Sequence, residues 1–328
     1  MKKSGRKAVK TWSTPEREET CIPVHCVLCG GSNFIPHFSN TGSNPLFSPD
    51  NRKGKQIPEL VFFTYARCTR CTLVQINPQP SPEAVALRYD KNHGEEYLDY
   101  EKANEEQFLW LQKLALKDAG FYDLEQKLFL TKGAGNKQLH TDSIAPAILD
   151  IGCATGALLV ELKDRGWAVR GVEISGPQAE YCRKQGLEVS NLPLEKNNFP
   201  PQSFDVILAS HVIEHVNNPF DFVLEVQKLL KPGGRFYITT PNIGGFQARF
   251  FGSRWRSAIF DHLYLFSVRT LCMLLEKAGF SVERVKTWGG LAAGAAPPFL
   301  KRIFDKLAKP FGFGDVMIIR AISRVEAH

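Results

Sequence analysis

Apolar and amphipathic segments alternate along the second half of the chain. Short and nearly continuous apolar runs predict β-strands at 147–151, 168–173, 187–190, 204–209, 234–240, 280–286 and 315–322. Apolar residues spaced three and four positions apart predict helices at 156–165, 177–185, 219–230 and 268–278. Apolar strands that alternate with helices are typical of a parallel sheet covered on both faces. The pattern therefore predicts an α/β, Rossmann-like fold with a mainly parallel seven-stranded sheet, whose ligands bind beyond the carboxyl ends of the strands.

The preceding residues divide into three segments. Residues 1–20 are polar, charged and without periodicity, which is typical of a flexible basic tail. Residues 21–76 hold five cysteines and short β-like runs, and they predict a small zinc-ribbon-like module. The proline-rich "NPQPSPEA" opens a linker and helical cap at 77–146, in which helical spacing predicts a helix over 104–130. The main domain then occupies 147–328, with insertions expected at 241–266 and 287–313.

Composition and charge narrow the function classes. Hydrophobic residues make up 43% and charged residues 23%, which is typical of a globular protein, and no apolar run reaches the ~20 residues of a membrane span. The N-terminal "MKKSGRKAVK" has no apolar core of a secretory signal, so we expect a cytoplasmic protein. The eight cysteines are then thiols or metal ligands rather than disulfides. The net charge of +7 leaves a nucleic acid, an anionic membrane surface or a phosphorylated substrate open as partners.

The turn after the first predicted strand reads Gly152-Cys153-Ala154-Thr155-Gly156. A Walker loop requires Gly-Lys-Ser/Thr at the helix start, and no lysine is present here. A dinucleotide fingerprint requires G-x-G-x-x-G, and Ala154 occupies the position of its second glycine. The turn therefore favours a ligand that approaches the backbone closely without a phosphate.

Two acidic residues flank this turn. Glu173 ends the next predicted strand, where a carboxylate can accept hydrogen bonds from ribose hydroxyls. Asp150 precedes the turn and can face a cationic group such as an amine or a sulfonium. A ribose, a cation and the absence of phosphate together describe S-adenosylmethionine.

The segments "LDIGCATGALL" and "VRGVEIS" resemble the first two motifs of class I S-adenosylmethionine-dependent methyltransferases. The resemblance continues through "FPPQSFDVILASHVIEHVNNP", "LLKPGGRFYITTPN" and "DHLYLFSVRTLCMLLEKAGF". It implies that Glu173 binds the ribose and that Ile174 packs against the adenine. The full set of expected cofactor residues is Asp150, Ile151, Gly152, Cys153, Gly156, Glu173, Ile174, Leu194, Ser210 and His211. Near the adenine amino group relatives often carry an aspartate, whereas this chain has Pro193.

The segment "SHVIEHV" follows the fourth predicted strand, where cofactor and acceptor should meet. His215 is our first candidate for a general base, with Glu214 as its orienting partner, because an oxygen acceptor must lose a proton. His262, beside Asp261 in the insertion at 241–266, is the second candidate. Methyltransferases that act on amino groups of DNA bases and of some proteins carry an Asn/Asp-Pro-Pro-Tyr/Phe motif at this position, and this chain lacks it. It also lacks the Pro-Cys nucleophile of cytosine-carbon methyltransferases. Methylation of nucleic-acid bases is therefore disfavoured.

Two CxxC pairs mark the front module. Cys26, Cys29, Cys68 and Cys71 predict a four-thiolate zinc site, which is structural because four cysteines close the coordination shell. The module with "INPQPSPEAVALRYD" resembles one that precedes bacterial methyltransferases acting on sugars, some of them C-methyltransferases of nucleotide sugars. Those enzymes usually carry a further C-terminal domain that we do not expect here. The resemblance therefore favours O-methylation of a sugar or glycan.

The acceptor and the partners stay open at this level. A quinone-type or lipid-type small molecule is the alternative acceptor. The non-enzyme alternative is a zinc-ribbon RNA-binding protein. This alternative is disfavoured because the cysteine module lacks clustered basic residues interleaved with aromatics. The segments "ARFFGSRWRSAIF" and "PPFLKRIFDKLAKPFGF" combine basic and aromatic residues. They form either a lid over the acceptor or a peripheral contact with an anionic membrane, which would hold a lipid-linked glycan at the inner face.

Overall fold

A computed structural model of the chain describes residues 21–42, 61–86, 91–133, 145–289 and 312–324. The predicted tail at 1–20 and most of the predicted basic helix at 297–313 lie outside these ranges. Within them, no helix is both long enough and apolar enough to cross a membrane.

A seven-stranded sheet forms the centre of the main domain. Its strands are β6 (Ala147–Ile151), β7 (Ala168–Val172), β8 (Val189–Ser190), β9 (Phe204–Ser210), β10 (Leu230–Pro241), β12 (Phe280–Trp288) and β13 (Val316–Ser323). Their order in the sheet is β12-β13-β10-β9-β6-β7-β8, and β13 runs antiparallel to both of its neighbours. The chain order reverses at β6, between β9 and β7, and ligands of open α/β sheets bind at such a switch point. The predicted α/β, Rossmann-like fold with seven strands is confirmed.

The helices of this domain connect the strands and cover the sheet. They are α4 (Ala157–Asp164), α5 (Gly176–Lys184), α6 (Pro219–Leu229) and α8 (Val268–Lys277), each within two residues of its predicted bounds. Asn218 caps α6 through bonds from the backbone N–H groups of Phe220 and Asp221, and Ser267 opens α8 in a capping box. These polar caps start the helices where the apolar periodicity begins.

The cap before the main domain contains two long helices, not the single helix predicted over 104–130. Helix α2 (Lys91–Asp118) and helix α3 (Phe121–Gly133) meet at Gly120, whose φ of 76° lies in the left-handed region. The break is held by Arg320, which donates to the carbonyl of Ala119 at 3.1 Å. Apolar spacing missed this break, although Gly120 itself is the residue type that commonly ends a helix in the left-handed conformation.

The cysteine-rich segment forms a four-stranded sheet of order β11-β4-β3-β2. Strands β2 (Phe34–Gly42), β3 (Val61–Cys68) and β4 (Val74–Ile76) come from the front of the chain, whereas β11 (Tyr264–Leu265) comes from the insertion after β10. A two-residue strand pair, β1 (Cys21–Ile22) with β5 (Gln79–Pro80), lies beside it, and the short helix α1 (Pro82–Ala86) follows. The front segment and the insertion therefore share one sheet.

The insertion expected at 241–266 is an ordered part of the domain. It contains helix α7 (Phe246–Phe251) and a 3-10 turn at Gly252–Arg254. The buried Trp255 indole donates to Asp315, and Arg256 donates to the same carboxylate at 2.7 Å. These bonds attach the insertion to the residue that precedes β13, so the segment that carries His262 has a fixed position.

Candidate active site

The glycine turn lies at the carboxyl end of β6 and starts α4. Gly152, Ala154 and Gly156 all have positive φ, at 73°, 50° and 76°. A Cβ on Gly152 would come within 2.5 Å of the Val212 side chain, and one on Gly156 within 2.5 Å of Leu187. Both glycines are therefore required by close approach as well as by backbone conformation.

Glu173 holds this turn in place. One of its carboxylate oxygens accepts from the N–H of Ala154 at 3.0 Å, and the other accepts from the N–H of Ser175 at 2.9 Å. The sequence analysis expects the Glu173 carboxylate to accept hydrogen bonds from ribose hydroxyls. It does not predict the hydrogen bonds from the N–H groups of Ala154 and Ser175. Each carboxylate oxygen has a second lone pair, so these bonds fix the orientation of Glu173 without excluding a ribose hydroxyl.

Two buried carboxyls lie side by side below the turn. Burial raises the pKa of Asp150 to about 7, and the nearby Glu173 raises it further. Burial likewise raises the pKa of Glu173 to about 7, although the N–H groups of Ser175 and Ala154 oppose the rise. Two buried acids without a cation are costly, so this pair is suited to a positively charged ligand.

Helix α2 contributes a third carboxyl that the sequence did not single out. Burial raises the pKa of Glu101, which interacts electrostatically with His211 and with Glu173. Gly94 of the same helix packs so closely on Ser175 that a Cβ would lie 2.9 Å from its hydroxyl oxygen. The helical pattern of α2 signalled a helix, but only the tertiary contact reveals that this helix covers the candidate cofactor site.

The remaining expected cofactor residues take different positions. Ile174, the predicted adenine-packing residue, exposes 40% of its surface beyond β7. Leu194 is 4% exposed and packs in the core, and Cys153 and Ile151 are also buried. The thiol of Cys182 donates to the carbonyl of Ala154 at 3.1 Å, which adds a further support under the turn.

The segment after β9 brings a buried glutamate beneath an exposed histidine. His211 has a φ of 56°, which is uncommon for a residue with a side chain, and it is the first residue beyond β9. Its Nδ1 lies 3.1 Å from one carboxylate oxygen of Glu214, and the Thr240 hydroxyl donates to the other oxygen at 2.9 Å. Burial alone would raise the pKa of Glu214, but the hydrogen bond with His211 and the electrostatic attraction to its ring outweigh burial and lower the pKa to about 2.

The two candidate bases meet at this glutamate. The ring centroids of His215 and His262 lie 4.7 Å apart in an edge-to-face arrangement, although the residues are 47 positions apart in sequence. The Nδ1 atom of His215 lies 2.9 Å from the carbonyl of Asp261, and that of His262 lies 2.8 Å from the carbonyl of Ser257. A carbonyl can only accept, so each Nδ1 carries a proton, and in the neutral form of either ring the lone pair lies on Nε2. Burial, with a smaller contribution from His215, lowers the pKa of His262 to about 3.

The four predicted zinc ligands form one cluster. The sulfur atoms of Cys26, Cys29, Cys68 and Cys71 all lie within 4.8 Å of one another, and two of the pairs are 3.3 and 3.5 Å apart. Ligands about 2.3 Å from a tetrahedral zinc are about 3.8 Å from each other, so this spacing fits the ion.

The backbone around the cysteines prepares thiolates. Each CxxC pair forms a tight turn, in which the backbone N–H of Gly30 donates to the carbonyl of Cys26 and that of Thr72 donates to the carbonyl of Cys68. Burial opposes ionisation of Cys68, but the N–H groups of Cys71 and Arg70 lower its pKa to about 7. Burial raises the pKa of Cys71 to about 11, which a bound dication would reverse.

A mainly parallel sheet with a glycine turn at its switch point and an acid after the next strand is the arrangement that the resemblance to S-adenosylmethionine-binding domains predicts. A family model described as a methyltransferase domain matches residues 106–285, which is more than half of the chain. The chain belongs to this methyltransferase-domain family, as the sequence motifs predicted.

Curated proteins share the middle of the chain. Over 102 residues it is 35% identical to a ubiquinone biosynthesis O-methyltransferase of Caulobacter vibrioides, covering 29% of this chain and 40% of that protein. Over 95 residues it is 33% identical to a demethylmenaquinone methyltransferase of Tropheryma whipplei, covering 28% of this chain and 40% of that protein. The chain therefore spans less than half the length of these curated relatives. Among solved structures, an S-adenosylmethionine-dependent methyltransferase from Mesorhizobium loti matches with a TM-score of 0.43 and 20% sequence identity. The match covers 54% of this chain and 91% of that protein.

Proposed function

We propose that this methyltransferase acts on a hydroxyl oxygen of a small-molecule acceptor bound between the end of β9 and the insertion at 241–266, with His215 as the general base. The observation that carries the proposal is the bond between the Nδ1–H of His215 and the carbonyl of Asp261, which places the lone pair of the neutral ring on Nε2. His215 directly follows Glu214 in the segment that continues β9 at the edge of the cofactor site. His215 is half-buried, whereas His262 is only 8% exposed, so His215 has the better access to an acceptor.

The proposed reaction is an in-line displacement. The acceptor oxygen attacks the methyl carbon, the bond between that carbon and the sulfonium breaks, and S-adenosylhomocysteine leaves as a neutral thioether. His215 Nε2 takes the hydroxyl proton as the oxygen gives up its electron pair. Asp150 and Glu173 hold the cofactor, and Glu214 stabilises the imidazolium that forms beside it.

We place a phenolic hydroxyl of a quinone precursor first among acceptors. Two of the curated relatives are named ubiquinone biosynthesis O-methyltransferase and demethylmenaquinone methyltransferase, so both names refer to quinones. The surroundings of His262 are aromatic, with Phe260 packed 5.6 Å from Phe63 between ring centroids. A phenol is also a stronger acid than a sugar hydroxyl, so a histidine can deprotonate it more readily.

A sugar or glycan hydroxyl is the second candidate. The observation that favours it is the cysteine module, whose sequence resembles modules that precede sugar methyltransferases. Strand β4 of this module pairs with β11, which lies next to His262 in the chain. In the same proposal the four cysteines hold a structural zinc. The membrane contact suggested by the basic and aromatic segments stays a prediction, supported by Phe250 of α7, which is 71% exposed beside Arg249.

A panel assay tests the acceptor. Purified protein is incubated with methyl-labelled S-adenosylmethionine and either phenolic quinone precursors or sugars and nucleotide sugars. We expect label in the phenolic products and a loss of at least tenfold in kcat for His215→Gln. The exposed His37 of the front module supplies the matched control, because His37→Gln should leave kcat unchanged. Label in the sugars alone would reverse the order of the two acceptors, and full activity of His215→Gln would remove the base.

A further inference from the structure

A cavity of ≈ 170 Å³ lies between helix α3 and the strands β10, β13 and β12 at one edge of the main sheet. Charged side chains make up most of its lining. Four of them are cations and two are acids: Lys127, Arg235, Arg284 and Arg320, with Asp123 and Glu283. A small space with an excess of positive charge attracts an anion rather than an apolar ligand.

Glu283 compensates only part of this positive charge. One of its carboxylate oxygens lies 3.3 Å from Arg235, and the other lies 2.9 Å from the Nε of Arg320. Neither Lys127 nor Arg284 forms an ion pair with a carboxylate of the described residues. The cavity therefore keeps two cationic side chains that no protein carboxylate neutralises.

Two of the guanidinium groups stand directly opposite each other. Arg284 and Arg320 are partners across the antiparallel strands β12 and β13. A Cβ on Gly120 would lie 2.9 Å from one Nη1 and 3.0 Å from the other, so both groups converge on the same point. Arg320 donates to the carbonyl of Ala119 at 3.1 Å, whereas Arg284 is 3.5 Å from that of Asp118, at the outer limit of a hydrogen bond. Like charges that face each other across strands repel, and an anion between them removes this repulsion.

A buried hydroxyl gives independent evidence for a ligand at this place. Tyr237 is 1% exposed, and its hydroxyl makes no hydrogen bond of ordinary geometry with any group that the structure describes. It is the direct partner of Arg320 across β10 and β13. Burial raises the pKa of Tyr237 to about 12, and the charges of Arg320 and Arg235 oppose the rise, so the hydroxyl lies close to the cations of the cavity. A buried donor without an acceptor is costly, and an anion in the cavity would supply one.

The cavity is separate from the methyl-transfer site. Thr240 bonds Glu214 at the carboxyl end of β10, beside the candidate bases. Arg235 lies five residues earlier on the same strand, which is about 16 Å away. An anion bound in the cavity therefore does not occupy the place of the cofactor or of the acceptor.

We propose that this cavity binds the phosphate group of a small phosphorylated molecule. A phosphate monoester has a charge of about −1.5 to −2 at neutral pH, which matches the two uncompensated cations. The forked donors of Arg284 and Arg320 suit phosphate oxygens, and the hydroxyl of Tyr237 donates to a further one. Arg284 and Lys127 are exposed, so the rest of the ligand extends from the mouth of the cavity into solvent.

Phosphate binding to the whole chain tests the site without cofactor or acceptor, and the result is therefore independent of the proposed function. Calorimetry at constant ionic strength compares inorganic phosphate with glycerol 3-phosphate on wild-type protein, Arg284→Gln and Tyr237→Phe. The control is Arg269→Gln, because Arg269 is an exposed arginine of α8 outside the cavity. We expect one equivalent to bind to wild-type protein and to the control, and about tenfold weaker binding by each cavity variant.

The thermal stability of Tyr237→Phe separates a loss of binding from a loss of fold. Since the hydroxyl makes no hydrogen bond in the ligand-free protein, the Tm of this variant should equal that of the wild type. In the presence of glycerol 3-phosphate, the Tm of the wild type should rise more than that of the variant.

Equal phosphate affinity of wild-type protein and both cavity variants overturns the site. An equal loss of affinity in Arg269→Gln and Arg284→Gln also overturns it, because the general surface charge would then hold the phosphate. Weaker binding of glycerol 3-phosphate than of inorganic phosphate would reject the ester as the ligand. S-adenosylmethionine should still bind in saturating phosphate, and competition that Arg284→Gln leaves unchanged would place the phosphate at the glycine turn instead.

Discussion

The hydroxyl of Tyr65 donates to the backbone carbonyl of His262 at 2.7 Å, across 197 positions of sequence. The same hydroxyl lies 2.8 Å from the carbonyl of Ile259. Tyr65 belongs to β3 of the cysteine module and is fully buried, whereas His262 stands in the candidate acceptor site. The module therefore supports the loop that carries a proposed active-site residue.

Removal of this hydroxyl should affect the acceptor more than the cofactor. Tyr65→Phe removes the hydroxyl donor of the buried His262 carbonyl, whereas the Ile259 carbonyl still accepts from the N–H of His262, and we expect a cost of about 1–3 kcal/mol of unfolding free energy. Because the loop around His262 loses a fixed contact, KM for the acceptor should rise while the Kd for S-adenosylmethionine stays within twofold. Chemical unfolding, calorimetry and steady-state kinetics measure the three quantities. A change in cofactor affinity with an unchanged KM would show that Tyr65 does not act through the acceptor loop.

Cofactor affinity should increase with pH around neutrality. Asp150 and Glu173 both have a pKa raised to about 7, so each carries a proton below that pH. A cationic cofactor favours their ionised forms, and binding should release protons. We expect S-adenosylmethionine to bind at least tenfold more tightly at pH 8 than at pH 6. Calorimetry in buffers of different ionisation enthalpy measures both effects, and Asp150→Asn should flatten the profile. An affinity independent of pH would contradict the assignment.

The same two carboxyls give the protein without cofactor a stability that decreases as pH rises. Their unfolded pKa values lie near 4, so between about pH 4 and pH 7 the folded protein holds protons that the unfolded chain has released. Folding is therefore favoured at the lower end of this window and weakened at the upper end. Chemical unfolding at pH 5.5 and 7.5 should show Asp150→Asn losing part of this dependence. An equal dependence in the variant would assign it to other groups.

Glu101 should contribute to cofactor binding although it lies in the cap. It interacts electrostatically with Glu173 and His211 and is largely buried. Glu101→Gln removes a negative charge near the cofactor cation, so we expect Kd for S-adenosylmethionine to rise about three- to tenfold. The exposed Glu106 lies on the same helix, and Glu106→Gln is the matched control. Equal affinities of both variants would place Glu101 outside the cofactor site.

Loss of zinc from the cysteine cluster should unfold the module and weaken the acceptor loop with it. Cys68→Ser removes a ligand whose pKa of about 7 makes it the readiest thiolate of the cluster. We expect one zinc equivalent to be lost and Tm to fall by several degrees, because metal binding contributes folding free energy. Cys272, on α8, lies outside the cluster, so Cys272→Ser should keep the metal. Unchanged zinc content in Cys68→Ser would contradict the site.

Periodicity predicted the main sheet well because parallel strands buried on both faces read as continuous apolar runs. It did not predict strand β11, since Tyr264 and Leu265 gain their partners from β4, almost 190 positions earlier. Such a pairing between distant segments leaves no local signal in the chain. The break at Gly120 was missed for another reason, because the apolar spacing was followed past a glycine that can end a helix.

Some residues of the candidate site could be found from the sequence, and others are brought to the site only by the fold. Asp150, Gly152, Gly156 and Glu173 stand in one contiguous stretch, so motif spacing was enough to find them. The approach of His262 to His215 depends on the path of the insertion, which the sequence indicated only by its histidine and its position after β10. Glu101 gave no signal, because it is one of many acids on a polar helix and only packing distinguishes it.

The methyl position in the product is the most direct test of the account. Purified protein is incubated with ¹³C-methyl S-adenosylmethionine and an accepted substrate, and the carbon spectrum of the product distinguishes a methyl on oxygen from one on nitrogen or carbon. The account predicts an O-methyl signal that is absent with Glu173→Ala. A methyl on carbon or nitrogen, formed by the wild-type protein and lost in the same variant, would contradict the proposed oxygen acceptor while the chain stays a methyltransferase.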